Sequence, residues 1–249
     1  MDIVYTIWLR NVKRYLRSKS RIIGSLGMPT FFLLVLGFGL NSVVSLPGMS
    51  HGYIGFIIPG IISMSVLFTS IFSGIQIIWD KQFGFLKETL VAPVSRIEIM
   101  LGQTVGGATT ALIQGIIILV ISLFLGLRIS SIPGFALAII FMTLIGLSFT
   151  AFGIAFASRM EDMHGFQLIM NFVVFPIFGL SGALFPIDSL PSWLRSLTML
   201  DPLTYGVEGI RYGLLGTSQI DPVLSFVVLS GFTIFMVVLG AYLFRKISI

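Results

Sequence analysis

The sequence predicts an all-α membrane protein with six transmembrane helices, and three observations predict it. Hydrophobic residues fill 56% of the 249 positions and Asp, Glu, Lys and Arg only 10%, against roughly 25% charged residues in a soluble domain. So little polar surface cannot dissolve the chain. The charge-free runs exceed what a buried core helix needs, and roughly 20 apolar residues rising about 1.5 Å each cross a hydrocarbon layer about 30 Å thick. The runs are also continuous, without the period-two alternation of barrel strands, so the spans are helices.

The elements follow in order, within a single transmembrane domain covering 1–249. Residues 1–21 place Ile3, Val4, Ile7, Trp8, Val12, Tyr15 and Leu16 at helical spacing, opposite Asp2, Thr6, Arg10, Lys13, Arg14 and Arg17. This pattern predicts an amphipathic helix lying on the inner membrane surface, its basic face toward lipid phosphate or a cytosolic partner. No charge occurs from Ile22 to Trp79. That run holds two spans, 22–46 and 54–79, divided by the turn signal from Pro47-Gly48 to Gly52. Further spans fall at 99–127, 133–157, 164–187 and 222–244.

Orientation follows from Lys and Arg, which accumulate in cytoplasmic segments. With both termini inside, the inner side holds Arg10, Lys13, Arg14, Arg17, Lys19, Arg21, Lys81, Lys87, Arg96, Arg159, Arg245 and Lys246, and the outer side only Arg128, Arg195 and Arg211. Twelve against three, from the 15 Lys and Arg, places both ends in the cytoplasm of a cell that carries the protein in its inner, or plasma, membrane. The net charge of +5 is accounted for by this topology and by attraction to anionic headgroups, so no nucleic-acid partner is expected. Cysteine is absent, which excludes disulfide and thiolate chemistry. The first apolar run is too long for the core of a cleaved signal peptide.

Two connecting segments carry more than a turn requires. From Asp80 to Gln103 both charge signs occur around Pro93, which interrupts any helix. Lys81 to Val91 has room for a short helix exposing Lys87 and Glu88, and Ser95 followed by Glu98 is a capping box opening the third span. From Asp188 to Asp221 the outer segment stays apolar. Asp201 as N-cap with Pro202 at the first position predicts a helix running toward Gly216, and Asp221-Pro222 repeats the signal for the last span. Such an apolar outer segment is expected to dip back into the membrane as a re-entrant helix or to pack at the mouth of a dimer. Gly106, Gly107 and Ala108 are expected to let helices pack closely.

Several chemistries are excluded. No glycine-rich turn ends in Gly-Lys-Ser/Thr, so the chain lacks the phosphate cradle of a P-loop ATPase. His51 and His164 lie near opposite faces and no His-Glu-x-x-His helix exists, which leaves metal hydrolysis without ligands. Gly179-Leu180-Ser181-Gly182 resembles the serine motif of rhomboid proteases, yet no histidine follows His164 to serve as base. The spans contain almost no ionisable group of the kind proton- or ion-coupled carriers use. Asn41, Gln76, Gln114, Gln167 and Asn171 are their larger polar residues, with helix-to-helix hydrogen bonding as the expected role.

The amphipathic basic start, the inner Lys87-Glu88-Thr89-Leu90-Val91-Ala92-Pro93-Val94-Ser95 with Gly102 beyond it, and the outer Phe185-Pro186 through Leu190-Pro191-Ser192-Trp193-Leu194 come in a specific order. Asp201-Pro202-Leu203-Thr204-Tyr205-Gly206-Val207-Glu208-Gly209-Ile210-Arg211 completes it. Over nearly its whole length the chain resembles the type-2 family of ABC exporter permeases, membrane subunits of drug, polysaccharide and lipid-linked glycan exporters. The resemblance implies a non-enzymatic half-transporter that pairs with a second permease copy, identical or a close paralogue, and with two cytosolic ABC ATP-binding subunits. It binds no cofactor itself; ATP and Mg are used by the partner. The resemblance makes residues 1–21 a connecting helix and Lys81 to Val91 a coupling helix, with Lys81, Phe83, Phe85, Lys87, Glu88 and Leu90 toward the ATPase. Arg159 and Glu161, in the Arg159 to His164 turn, form a second contact. It puts Phe68, Phe72, Asn171 and Phe175 on the substrate path, and Trp193, Asp201, Tyr205, Glu208 and Arg211 at an outer gate. Asp201 stands where the family commonly has asparagine. A passive channel and a membrane-embedded enzyme remain the competing readings at this point.

Overall fold

The computed structural model describes residues 2–41, 52–85 and 94–247. The helices are α1 (Asp2–Arg17), α2 (Lys19–Asn41), α3 (Gly52–Ser73), α4 (Ile75–Gln82), α5 (Arg96–Phe124), α6 (Ile132–Ala157), α7 (Met163–Leu180), α8 (Ser192–Leu200), α9 (Pro202–Leu215) and α10 (Pro222–Arg245), with a 3-10 turn at Ile187–Ser189. No strand occurs among the described residues. Among the described residues six helices are long and apolar enough to cross a membrane: α2, α3 continued by α4, α5, α6, α7 and α10.

Local chemistry sets the helix starts. Ser95 Oγ accepts the Glu98 N–H at 3.1 Å while Glu98 Oε2 accepts the Ser95 N–H at 3.1 Å, the reciprocal capping box that opens α5. Ser131, Asp162, Asp201 and Asp221 cap α6, α7, α9 and α10 through side-chain oxygens, satisfying amide groups that no earlier turn can reach. Two amide bonds, from His164 and Gly165, hold the Asp162 carboxyl below the usual carboxylate range. α9 stops at Gly216, whose φ of 76° suits a residue without Cβ.

The α3–α4 span occupies the centre of the bundle. The most apolar stretch of Gly52–Gln82 is 83% buried, against 17% for α2, 22% for α7 and 28% for α10, so these three form the rim. α5, α6 and α9 pack around α3. The close approach of α3 to α6 requires glycine: a Cβ on Gly153 would lie 2.4 Å from the Ile71 carbonyl oxygen, and one on Gly74 2.6 Å from that of Gly153. α1 packs against α5, with Ile7 over Gly102 and Asn11 over Gly106, which leaves Leu16 of its apolar pattern exposed.

Two apolar runs end differently from the sequence reading. α7 stops at Leu180, short of Ile187, and the chain turns through Gly182 at φ 67°. Ser181, Gly182 and Ala183 are nevertheless buried, and a Cβ on Gly60 of α3 would lie 2.4 Å from the Ala183 carbonyl oxygen. The apolarity of 181–187 thus records a loop seated on α3 rather than more span. The second apolar run, in contrast, overshoots. α4 continues to Gln82 before Gly84, at φ 77°, turns the chain. Lys81 therefore belongs to the end of a span rather than to a separate helix. The turn signal at Pro47-Gly48 and the remainder of the segment expected to form a coupling helix lie outside the described residues.

Candidate functional site

One end of the bundle gathers α1, the end of α10, the end of α4 and the α6–α7 turn through polar contacts. Asp80, 6% exposed, is the hub. Its carboxylate accepts from Arg10 Nη2 of α1 at 2.8 Å, Gln76 Nε2 at 2.7 Å and Gln103 Nε2 of α5 at 3.3 Å. Asn11 closes the ring by donating to Gln103 Oε1 at 2.7 Å. The Arg10 guanidinium also lies 4.4 Å from the ring centroid of Phe85, a cation–π contact. Beside this hub Lys81 Nζ donates to the Ser158 carbonyl at 2.8 Å and to that of Met160 at 3.3 Å, and Gln82 Nε2 donates to the Glu161 carbonyl at 2.8 Å. A cation on exposed carbonyls at a helix C-terminus complements its dipole. Arg96 does the same for α10, donating to the Arg245 and Ile247 carbonyls at 2.6 and 2.9 Å.

The structure thus joins α1, the end of α4 and the α6–α7 turn into one platform. Phe83, Phe85, Arg159 and Glu161 are exposed on it. Lys87, Glu88 and Leu90 lie outside the described residues. Sequence reasoning missed the role of Arg10, Asn11 and Gln103. The available signal was Asp80, the first charge after a run of apolar residues and therefore a poor candidate for a residue left without a partner.

At the other end α9 is buried nearly all round, with Tyr212 its one exposed residue, and packs on α6, α10 and α3. Its 14 residues rise about 21 Å, too short to cross the hydrocarbon layer. Glu208 and Arg211 form a fully enclosed ion pair on it. Glu208 Oε2 also accepts the Gln219 N–H at 2.5 Å, Arg211 Nη2 donates to the Gly182 carbonyl at 3.0 Å, and the guanidinium lies 4.1 Å from the Phe56 ring centroid. The pair therefore pins the 181–187 loop and the α9–α10 connection to α3. Tyr205 donates to the Met199 carbonyl at 2.9 Å, holding α8 to α9. Trp193 lies apart from this cluster, 66% exposed on α8.

Asp201 is 7% exposed, accepts the Leu203 N–H at 2.9 Å through Oδ1, and leaves Oδ2 buried without a partner. Burial pushes its carboxyl up to about 7, against the lowering effect of the Leu203 bond. The folded pKa lies above the unfolded one. The stabilisation is therefore complete below the unfolded value of 3.8 and is lost as pH rises through about 7. Asp201→Asn keeps the cap and removes the ionisation, so its melting midpoint should stay flat across that window while the wild type falls. Asp201→Ala should cost about 1 kcal/mol or more through the lost cap. Equal pH profiles for wild type and Asp201→Asn in detergent melts would refute the burial account.

Between the two ends, Phe68 and Phe72 of α3 and Phe175 of α7 line a cavity of about 420 Å³ bounded by α1, α2, α3 and α7. Phe68 lies tilted beside Phe72 and meets Phe175 edge-on, with centroids 6.2 and 5.5 Å apart. Three of the four residues expected on the path therefore meet; Asn171 is not among the lining residues.

Six apolar helices whose buried charged groups, Asp80, Asp201, Glu208 and Arg211, sit at the two ends of the bundle, with a cavity between them, define a multi-pass membrane protein. The ABC-2 type transporter family profile matches residues 3–215, and the chain belongs to that family. It is 30% identical over 237 residues to the inner membrane transport permease YadH of Escherichia coli K12, covering 92% of this chain and 89% of that protein. It is 28% identical over 214 residues to nodulation protein J of Rhizobium leguminosarum bv. viciae, covering 84% and 81%.

Proposed function

We propose that this permease exports an amphipathic substrate using ATP hydrolysed by a separate cytosolic subunit. Two such subunits and a second permease copy complete the assembly, with both termini and the 80–103 segment in the cytoplasm. One observation carries the reading: the tied platform of α1, the end of α4 and the α6–α7 turn. A pushing ATPase needs a surface that moves the spans as a unit, and hydrogen bonds from Lys81 and Gln82 to the 158–161 carbonyls tie the end of the α3–α4 span to the α6–α7 turn so that the two respond together. The surplus of Lys and Arg at this end supports its cytoplasmic placement.

The test is reconstitution. The purified permease alone is expected neither to hydrolyse ATP nor to pump, and addition of its cognate ATPase should confer both. Glu88→Lys should weaken assembly by about tenfold, the scale of a reversed interfacial charge, whereas Arg128→Ala at the opposite end should leave it unchanged. Uphill transport by the permease alone on an ion gradient, or undiminished assembly and transport in Glu88→Lys, would refute the respective parts.

A further inference from the structure

We infer that the cavity between α1, α2, α3 and α7 is a binding site for an anionic amphipath, with Arg21 holding the acidic head and Phe68, Phe72 and Phe175 enclosing the apolar chain. The inference rests on the permease reading and names the substrate class. At about 420 Å³ the cavity falls in the range of small-molecule sites, roughly 300–1,000 Å³. Its walls are segregated. Arg21 stands exposed at one side with the half-buried Ser25 beside it, while Met64, Phe68, Phe72 and Phe175 supply apolar surface. Among the described residues no carboxylate lies within ion-pair distance of Arg21, so this cation at the cavity is left for a ligand to neutralise.

A second, independent observation points into the same cavity. Ser65 is 1% exposed and lines it, yet its hydroxyl has no hydrogen-bond partner. A buried unpaired hydroxyl is costly, and a ligand oxygen would satisfy it.

The approach to the cavity is graded in charge. At the platform end a cleft of about 1230 Å³ is lined by Arg10, Lys13, Arg14, Arg17 and Lys19 beside Trp79 and Phe83, and by one carboxylate, Asp80, which is paired with Arg10. A narrow pocket shares Arg14 and Gln76 with that cleft and shares Tyr15, Arg21 and Thr69 with the apolar cavity. Basic surface thus leads by shared residues into apolar surface. An acidic head is drawn toward the cleft by the summed field, while a chain gains by leaving water. A cationic or uncharged amphipath has no counterpart for these guanidinium groups.

The chain lacks cysteine, which permits a direct test on the permease without any ATPase. Thr69→Cys, in phosphatidylcholine nanodiscs, is labelled with a small maleimide in the presence of lysophosphatidate, lysophosphatidylcholine of the same acyl chain, monoolein or inorganic phosphate. Lysophosphatidate should protect Cys at this position at concentrations about tenfold lower than lysophosphatidylcholine or monoolein, the scale of a charge-assisted hydrogen bond, and phosphate should not protect. Arg21→Gln in the same background should abolish the preference and Arg21→Lys should restore most of it. Equal protection by all three amphipaths overturns the proposal, as does protection by phosphate alone. A thiol unreactive in ligand-free protein also overturns it, since the cavity is then filled by something else, such as a second copy. The wild-type preference is decisive even if an Arg21 variant fails to fold. Because no ATP is involved, failure here leaves ATP coupling intact, and failure of coupling leaves this binding intact.

Discussion

Glu208→Ala is expected to cost about 3–5 kcal/mol, the scale for leaving one partner of a buried ion pair uncompensated, and most of the protein should fail to reach a folded, detergent-stable state. The side chain of Glu208 is fully enclosed, and its loss strands the Arg211 guanidinium and the Gln219 N–H at once. Arg211→Ala should be comparably severe, because it strands the carboxylate and releases the Gly182 carbonyl and the face of Phe56. Their sum should not be additive. Glu208→Gln combined with Arg211→Met retains an acceptor for Gln219 and removes both charges, so it should melt well above either alanine variant. Fluorescence-detected gel filtration after heating measures all four proteins. Midpoints for the single variants that match the wild type would show that the pair does not hold the 181–187 loop and the α9–α10 connection.

Asp80→Ala should be the most damaging change on the platform, by about 2–4 kcal/mol from lost charge-assisted hydrogen bonds. Asp80 is nearly enclosed and accepts from residues of α1, α4 and α5, so its removal separates three helices together. Arg10→Ala should be milder: the Arg10 side chain is 27% exposed and Gln76 and Gln103 remain on the carboxylate. Amide hydrogen exchange reports the difference directly. In Asp80→Ala, protection along Asp2–Arg17 should fall strongly while that of α9 is unchanged; in Arg10→Ala it should fall less. On the ATP-driven reading, Asp80→Ala should also hydrolyse ATP with little transport when assembled. Unchanged exchange in α1 for both variants would remove the platform as a mechanical unit.

The same residues mark the boundary between what sequence and tertiary structure decide. The helix starts at Arg96, Pro202 and Pro222 were legible because caps are local: Ser95 with Glu98, Asp201 with Pro202 and Asp221 with Pro222 act within one turn. The six spans were legible because lipid demands long continuous apolar runs whatever the packing. The convergence of Phe68, Phe72 and Phe175 was approached by resemblance, and the cavity they line was not visible from spacing. The end of α7 at Leu180 was misjudged because hydropathy records burial, and a loop seated on α3 is as apolar as a span.

By itself, then, the sequence determined class, span number, charge asymmetry and the caps, all properties of single segments in contact with water or lipid. Only the tertiary structure decided that Asp80 joins α1 to α4 and α5, that Lys81 reaches the 158–160 carbonyls, and that Glu208 and Arg211 bind a loop across the bundle. The bonds of Asp80 to α1 and α5, of Lys81 and of Arg211 to Gly182 link residues 23 to 79 positions apart, and they depend on which face of a helix turns inward. Hydrophobic periodicity is weak in helices apolar all round, because lipid and protein neighbours select for the same side chains.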